Sequence, residues 1–251
     1  MPSKKPASNI SEKVYALAFG AHPDDVELSC AATLLKLTRG GNTVAVCDLT
    51  EGEMGTRGTV AIRRSEATSA AAALGYSNRI NLNLGDSKLE VSRGNILKVI
   101  AVIRRFQPSV VFASPPSERH PDHEAASLLV TRACFFAGLR KIITRHKGHL
   151  QTPHRPKHLL YYLQHHAELP DVIVDVSETF DESRAGLLAF KSQFFQAGSR
   201  EPETKLTRKT FLEATTARAK YFGELIDADY GDGFLHRGAL GVKNFSALFE
   251  A

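Results

Sequence analysis

Apolar runs and helical repeats alternate along the first half of the chain. Val14 to Phe19 is an unbroken apolar run that reads as a buried strand, and from Val26 to Arg39 small and apolar residues recur at helical spacing until Gly40-Gly41-Asn42 stops them. Thr43 to Asp48 reads as a second strand, the Ala-rich stretch Ala61 to Leu74 as a helix ended by Gly75, and the alternating Arg79 to Leu84 as a third strand. Ile96, Leu97, Ile100 and Ile103 share one face of a helix over Asn95 to Phe106, and Pro108 resets the chain into a fourth strand at Val110 to Ala113. The pattern βαβαβαβ predicts an α/β fold, a Rossmann-like doubly wound and mostly parallel sheet. The predicted strand order is 3-2-1-4, with strands one and four side by side.

After a helix at Glu124 to Phe136, strands are expected at His158 to Gln164 and Val172 to Val176, and helices at Glu178 to Phe195 and about Lys209 to Leu225. The tail from Asp227 is punctuated by glycines, so order there requires docking on the body or on a neighbouring subunit. Residues 1–12 lack a signal-peptide core and read as a disordered lead-in to a single domain over 13–251.

Composition narrows the class. With 251 residues and 43% hydrophobic content the chain can bury a large core. No apolar run approaches the roughly 18 residues of a transmembrane helix, so no membrane partner is expected. Three dispersed cysteines, Cys30, Cys47 and Cys134, fit reduced thiols in a cytoplasm. The net charge of +5 and the basic segment Arg140 to His158 lack the aromatic interleaving of a nucleic-acid module. A solvated loop, or a rim attracting an anionic small molecule, is the expectation there.

Candidate chemistry sits in two turns. His22-Pro-Asp-Asp-x-Glu27 follows the first strand; His22 and Asp25, three apart, can face one point while Asp24 faces another, the layout of two metal ligands flanking a base. Proline followed by acidic residues also makes an ordinary helix start, and this cluster alone leaves both readings standing. His120-Pro-Asp-His123 repeats the arrangement after the fourth strand. If strands one and four are neighbours, both turns meet at the switch point of the sheet, and His22, Asp25 and His123 can close three sides of one metal ion.

These two motifs, with Arg63-x-x-Glu66, resemble the PIG-L/LmbE-like family of zinc-dependent N-acetylglucosaminide deacetylases. Asp48-Leu-Thr-x-Gly-Glu-Met-Gly-Thr-Arg-Gly58, His154 to His158, Lys191 to Phe194, Glu201 to Thr204 and Tyr230 to Phe234 look like the bacillithiol-pathway branch, which deacetylates N-acetylglucosaminyl malate. The resemblance implies His22, Asp25 and His123 as zinc ligands and Asp24 as general base. It implies His120 as a charged oxyanion stabiliser or acid, oriented by Asp122. Iron or cobalt would suit the same donors. The implied partner is a small amino-sugar substrate with an anionic aglycone, and the family implies a homo-oligomer.

Arginine holds a carboxylate by two parallel bonds, so Arg63 first, then Arg57 and Arg119, are candidate readers of malate. Where the family places a glycine-rich turn, this chain has Leu28-Ser-Cys-Ala-Ala32, which would be strained at any positive φ. Another amino-sugar conjugate is the alternative substrate, and a non-enzymatic metal-binding module the alternative class. Metal content together with acetate release separates them.

Overall fold

A computed structural model of the chain describes residues 12–166 and 168–241. Of the expected lead-in only Glu12 is described, and its carboxylate pairs with Arg105; the rest lies outside the described residues.

The first half follows the expected alternation: β1 (Ala16–Gly20), α1 (Asp25–Arg39), β2 (Val44–Asp48), α2 (Val60–Ala73), β3 (Asn78–Asn81), α3 (Arg93–Phe106), β4 (Val110–Ala113) and α4 (Pro121–Phe136). After it come a two-residue hairpin, β5 (Arg145–His146) and β6 (His149–Leu150), then β7 (His158–Tyr162), β8 (Val172–Asp175), α5 (Phe180–Leu188), α6 (Lys209–Glu224) and β9 (Gly231–His236). Seven strands form one sheet in the order β3-β2-β1-β4-β7-β9-β8. β1 lies parallel between β2 and β4, with Gly20 opposite Asp48 and Ala16 opposite Val110.

Alternation along β1 supplies both faces. Leu17 and Phe19 pack with Val99, Ile103 and Leu129 of α3 and α4, while Ala16 and Ala18 pack with Val26 and Leu34 of α1. Helices on both faces leave the carboxyl ends of β1, β4 and β7 as the open edge where their loops converge.

Several features refine or differ from expectation, and α5 ends at Leu188 where a helix to Phe195 was expected. α4 begins at Pro121 rather than Glu124, so Asp122 and His123 stand in its first turn, with His120 as the capping residue. The tail docks on the body: β9 inserts antiparallel between β7 and β8, and Phe234 is fully buried. The basic segment is tied down, because buried Arg104 donates to the carbonyls of Ala137, Leu139 and Ile142 and to Thr144 Oγ1. At Leu28 to Ala32, α1 kinks at Cys30 with φ −149°, so no positive φ is demanded there.

The unusual backbone lies earlier, at Asp24, whose φ of 116° places it in the left-handed region just before α1. The segment around it is braced from behind. Arg79 of β3 donates to Glu27 in the first turn of α1 at 2.7 Å and to both oxygens of Asp48 at the end of β2 at 2.8 and 2.9 Å. Glu27 is thereby a structural residue, as its neighbours require. Such strained residues persist only where the surroundings over-determine them, and they cluster at functional sites.

Candidate active site

His22 leaves β1 directly into a turn that its own backbone N–H closes on Asp25 Oδ2 at 2.8 Å. His123 arrives from the first turn of α4, and its Nε2 lies 3.3 Å from Asp25 Oδ1. Donor atoms of His22, Asp25 and His123 all fall within 4.8 Å of one another, and all three side chains are nearly buried. The turns after β1 and β4 therefore meet as neighbouring strands require. The cavity they face measures about 180 Å³ and is walled on one side by Gly52, Met54 and Gly55 of the long β2–α2 loop.

The electrostatics fit a cation. Burial alone would lower the His22 pKa, yet the carboxylates of Asp122, Asp25 and Asp86 raise it well above the ordinary imidazole value. Asp86 Oδ1 lies 3.2 Å and Asp122 Oδ2 3.5 Å from His22 Nε2. Burial likewise opposes ionisation of Asp25, but His123 and His22 hold its carboxyl well below the usual range. Two imidazoles facing a buried carboxylate, among further carboxylates, form a donor set suited to a divalent ion of the zinc type.

Asp24 stands beside this set and outside it. Burial pushes its carboxyl up to about 7, against the guanidinium of Arg63, whose Nη2 is 3.2 Å from Asp24 Oδ1. A carboxyl that titrates near neutrality can both take and return a proton. Arg63 also donates to the Pro23 carbonyl and lies under Gly52, where a Cβ would come within 3.1 Å of the guanidinium. Gly52 itself has φ +66°, so the loop closes over Arg63 only with glycine at that position.

His120 rings the cavity next to both candidate ligand histidines, 4.8 Å from His22 and 4.9 Å from His123 between ring centroids. Burial, then His22 and His123, lower its pKa, which works against the charge expected of it. Its link to Asp122 is also different from the expected one: the Asp122 backbone N–H donates to His120 Nδ1 at 3.2 Å, leaving the ring proton on Nε2. The Asp122 carboxylate instead accepts from the Ser87 N–H at 2.7 Å.

The three arginines part company. Arg57 is turned away from the cavity, its Nε bonded to Glu201 at 2.7 Å and its Nη2 to Ser199 Oγ at 2.7 Å, so it staples two loops and is not available to a substrate. Arg63 lines the cavity, but its Nη2 is shared between the Pro23 carbonyl and Asp24. Arg119 lines it with an exposed side chain, 3.4 Å from His165 Nε2. Sequence reasoning missed Asp86, Glu118, Gln164 and His165. Gln164 donates to Asp25 Oδ1 at 2.8 Å. It follows β7, the strand beside β4, so the rule that ligands gather at carboxyl strand ends was the signal available.

Comparison with known proteins gives this architecture a family: the chain belongs to the PIG-L deacetylases. The model of the family described as "PIG-L: GlcNAc-PI de-N-acetylase" matches residues 17–134, which hold both turns. Diacetylchitobiose deacetylase of Thermococcus kodakarensis is 31% identical over 188 residues, 71% of this chain and 69% of that protein. A probable N-acetyl-alpha-D-glucosaminyl L-malate deacetylase 2 of Bacillus cereus is 28% identical over 196 residues, 71% of this chain and 83% of that protein. The crystal structure of a conserved protein from Thermus thermophilus superposes with a TM-score of 0.81 at 34% identity, covering 92% of this chain and 98% of that one.

Proposed function

We propose that the protein is a zinc-dependent hydrolase that removes the N-acetyl group from a small N-acetylglucosamine conjugate, N-acetylglucosaminyl L-malate being the substrate favoured. The observation carrying this is the placement of Asp24, buried and braced by Arg63, beside the convergent donors of His22, Asp25 and His123. Those three residues would hold the ion. When bound, zinc supplies a Lewis acid that polarises an amide carbonyl and lowers the pKa of water.

The chain's own groups do the rest. Asp24 takes the proton from the water that attacks the acetyl carbon and returns it to the amine nitrogen as the C–N bond breaks, giving acetate and a free amino sugar. His120 Nε2–H donates to the carbonyl oxygen as negative charge develops there, and Asp122 fixes that tautomer through its backbone N–H. Iron or cobalt would suit the same ligands. The test is metal content per chain together with acetate release from a panel of acetylated amino sugars; metal binding without acetate release from any of them would leave a binding module.

Arg119 supports an anionic aglycone, and the identity to diacetylchitobiose deacetylase favours an uncharged sugar as the second reading. Arg119→Ala is expected to lower kcat/KM on N-acetylglucosaminyl malate by about ten- to a hundredfold, the loss of one charge-assisted bond, and to spare an uncharged N-acetylglucosamine glycoside. Arg63→Ala should harm both substrates alike, because Arg63 acts on the base. Parallel losses for Arg119→Ala would favour the uncharged reading.

Three buried free thiols, Cys30, Cys47 and Cys134, support a reducing cytoplasm, and no helix among the described residues is long and apolar enough to cross a membrane. With residues 231–236 of the tail used inside the sheet, support for a homo-oligomer moves to α4, which exposes Leu128 and Phe135 two turns apart on one face. Light scattering at micromolar concentration should give a mass that is a multiple of the chain's; a strictly monomeric mass rejects the assembly.

A further inference from the structure

We propose that Glu118, together with His165, is the positioning pair for the ligand His123, with His123 Nδ1–H directed at the Glu118 carboxylate. The inference rests on the proposed function, since it concerns a residue that holds the ion there. His123 turns Nε2 toward Asp25, and its Nδ1 is buried with no hydrogen-bond partner among the described residues. Ring nitrogens of His123 and His165 and an oxygen of Glu118 lie within 4.8 Å of one another, a span that one water closes.

Glu118 is built to accept. Its side chain is fully buried, and its oxygens take the N–H groups of Arg119 at 2.6 Å and His165 at 2.9 Å. Arg119 is purely a donor, so its contact at 3.4 Å makes His165 Nε2 an acceptor and puts the His165 proton on Nδ1, 3.5 Å from Glu118 Oε2. A carboxylate has about four lone-pair sites. Two are taken by these backbone N–H groups, and the ring N–H groups of His165, 3.5 Å away, and of His123, both buried without a hydrogen-bond partner among the described residues, are the donors left for the others. Burial would raise the Glu118 carboxyl, but the bonds from His165 and Arg119 bring it down to about 2, so it is an anion at neutral pH.

A metal-ligating histidine ordinarily gives its other N–H to a carboxylate, a carbonyl or a water, which fixes the ring and strengthens the ligating nitrogen. Nothing else among the described residues does this for His123. The same three side chains could also be imagined as a second metal site. That would require His123 to ligate through both nitrogens and so to lose both ring protons, whereas the orienting role requires no such step.

The experiment is a competition titration of metal-free protein with Zn²⁺ against a chelator, for wild type, His123→Ala and Glu118→Gln, joined to ¹⁵N-histidine NMR of the zinc-loaded wild type. Glu118→Gln should bind zinc about 10–100-fold more weakly. Stoichiometry should stay at one ion per chain, and the His123 Nδ1 should carry a slowly exchanging proton, a signature that general loosening would not create. If wild type binds no zinc, or His123→Ala binds as wild type does, the metal assignment itself fails. If those controls behave but Glu118→Gln keeps wild-type affinity, or two ions bind per chain, the positioning role alone is overturned. Should Glu118→Gln not fold, the wild-type spectrum decides: a metallated or rapidly exchanging Nδ1 rejects the proposal.

Discussion

Asp24→Asn is expected to lower kcat by about 10²–10⁴-fold while the metal stays bound, the loss appropriate to removing a general base. Asn fills the same volume and adopts a left-handed backbone at least as readily as Asp, so the φ of 116° before α1 is kept. Its amide cannot take a proton, and it lies outside the donors that converge on one point. His123→Ala removes one of those donors and is expected to lose the metal. Metal content by elemental analysis beside kcat for both variants checks the division of labour. If Asp24→Asn sheds metal as readily as His123→Ala does, base and ligand have been misassigned.

The second large effect is on stability. Arg79→Met should destabilise the fold by about 3–5 kcal/mol at neutral pH, because it leaves the buried carboxylates of Glu27 and Asp48 without their shared cation. The loss carries a pH signature. Burial already raises the Glu27 pKa against the pull of Arg79, and without that pull it rises further. Between the unfolded and folded pKa values the native state then holds a proton that the unfolded state lacks, so stability falls as pH rises through that window. Urea unfolding of variant and wild type should show a gap that is widest near neutrality and narrows toward the ordinary carboxylate range. A gap of equal size throughout would mean that lost packing, rather than stranded charge, dominates.

What the sequence made legible was local. Strand-then-turn patterns placed His22, Asp24 and Asp25 after β1 and His120 to His123 after β4, and the alternation of elements put those strands side by side. Residues whose role depends on where a distant loop travels were not readable. Arg57 lies close in sequence to the cavity wall, yet Glu201, from a loop far along the chain, draws it away. Asp86 and Gln164 are isolated polar residues that join the site only because β3 and β7 end at the same edge as β1. β9 escaped for another reason: glycines weaken a strand pattern, and Gly233 is needed because a Cβ there would meet the Phe222 ring at 2.8 Å.

The position of β9 has a consequence for synthesis. It hydrogen-bonds on both sides, yet among the described residues it is the last strand to emerge, after every proposed metal ligand and after both of its partners. Until residue 236 has left the ribosome, β7 carries an unpaired edge and β8 has no neighbour in the sheet. Such edges recruit strands from other chains, and at about 5–20 residues per second the stretch from β8 to β9 takes several seconds to make. A nascent chain that already possesses both turns of the candidate site is thus at its most adhesive, and a premature stop before Gly231 would fix it in that condition.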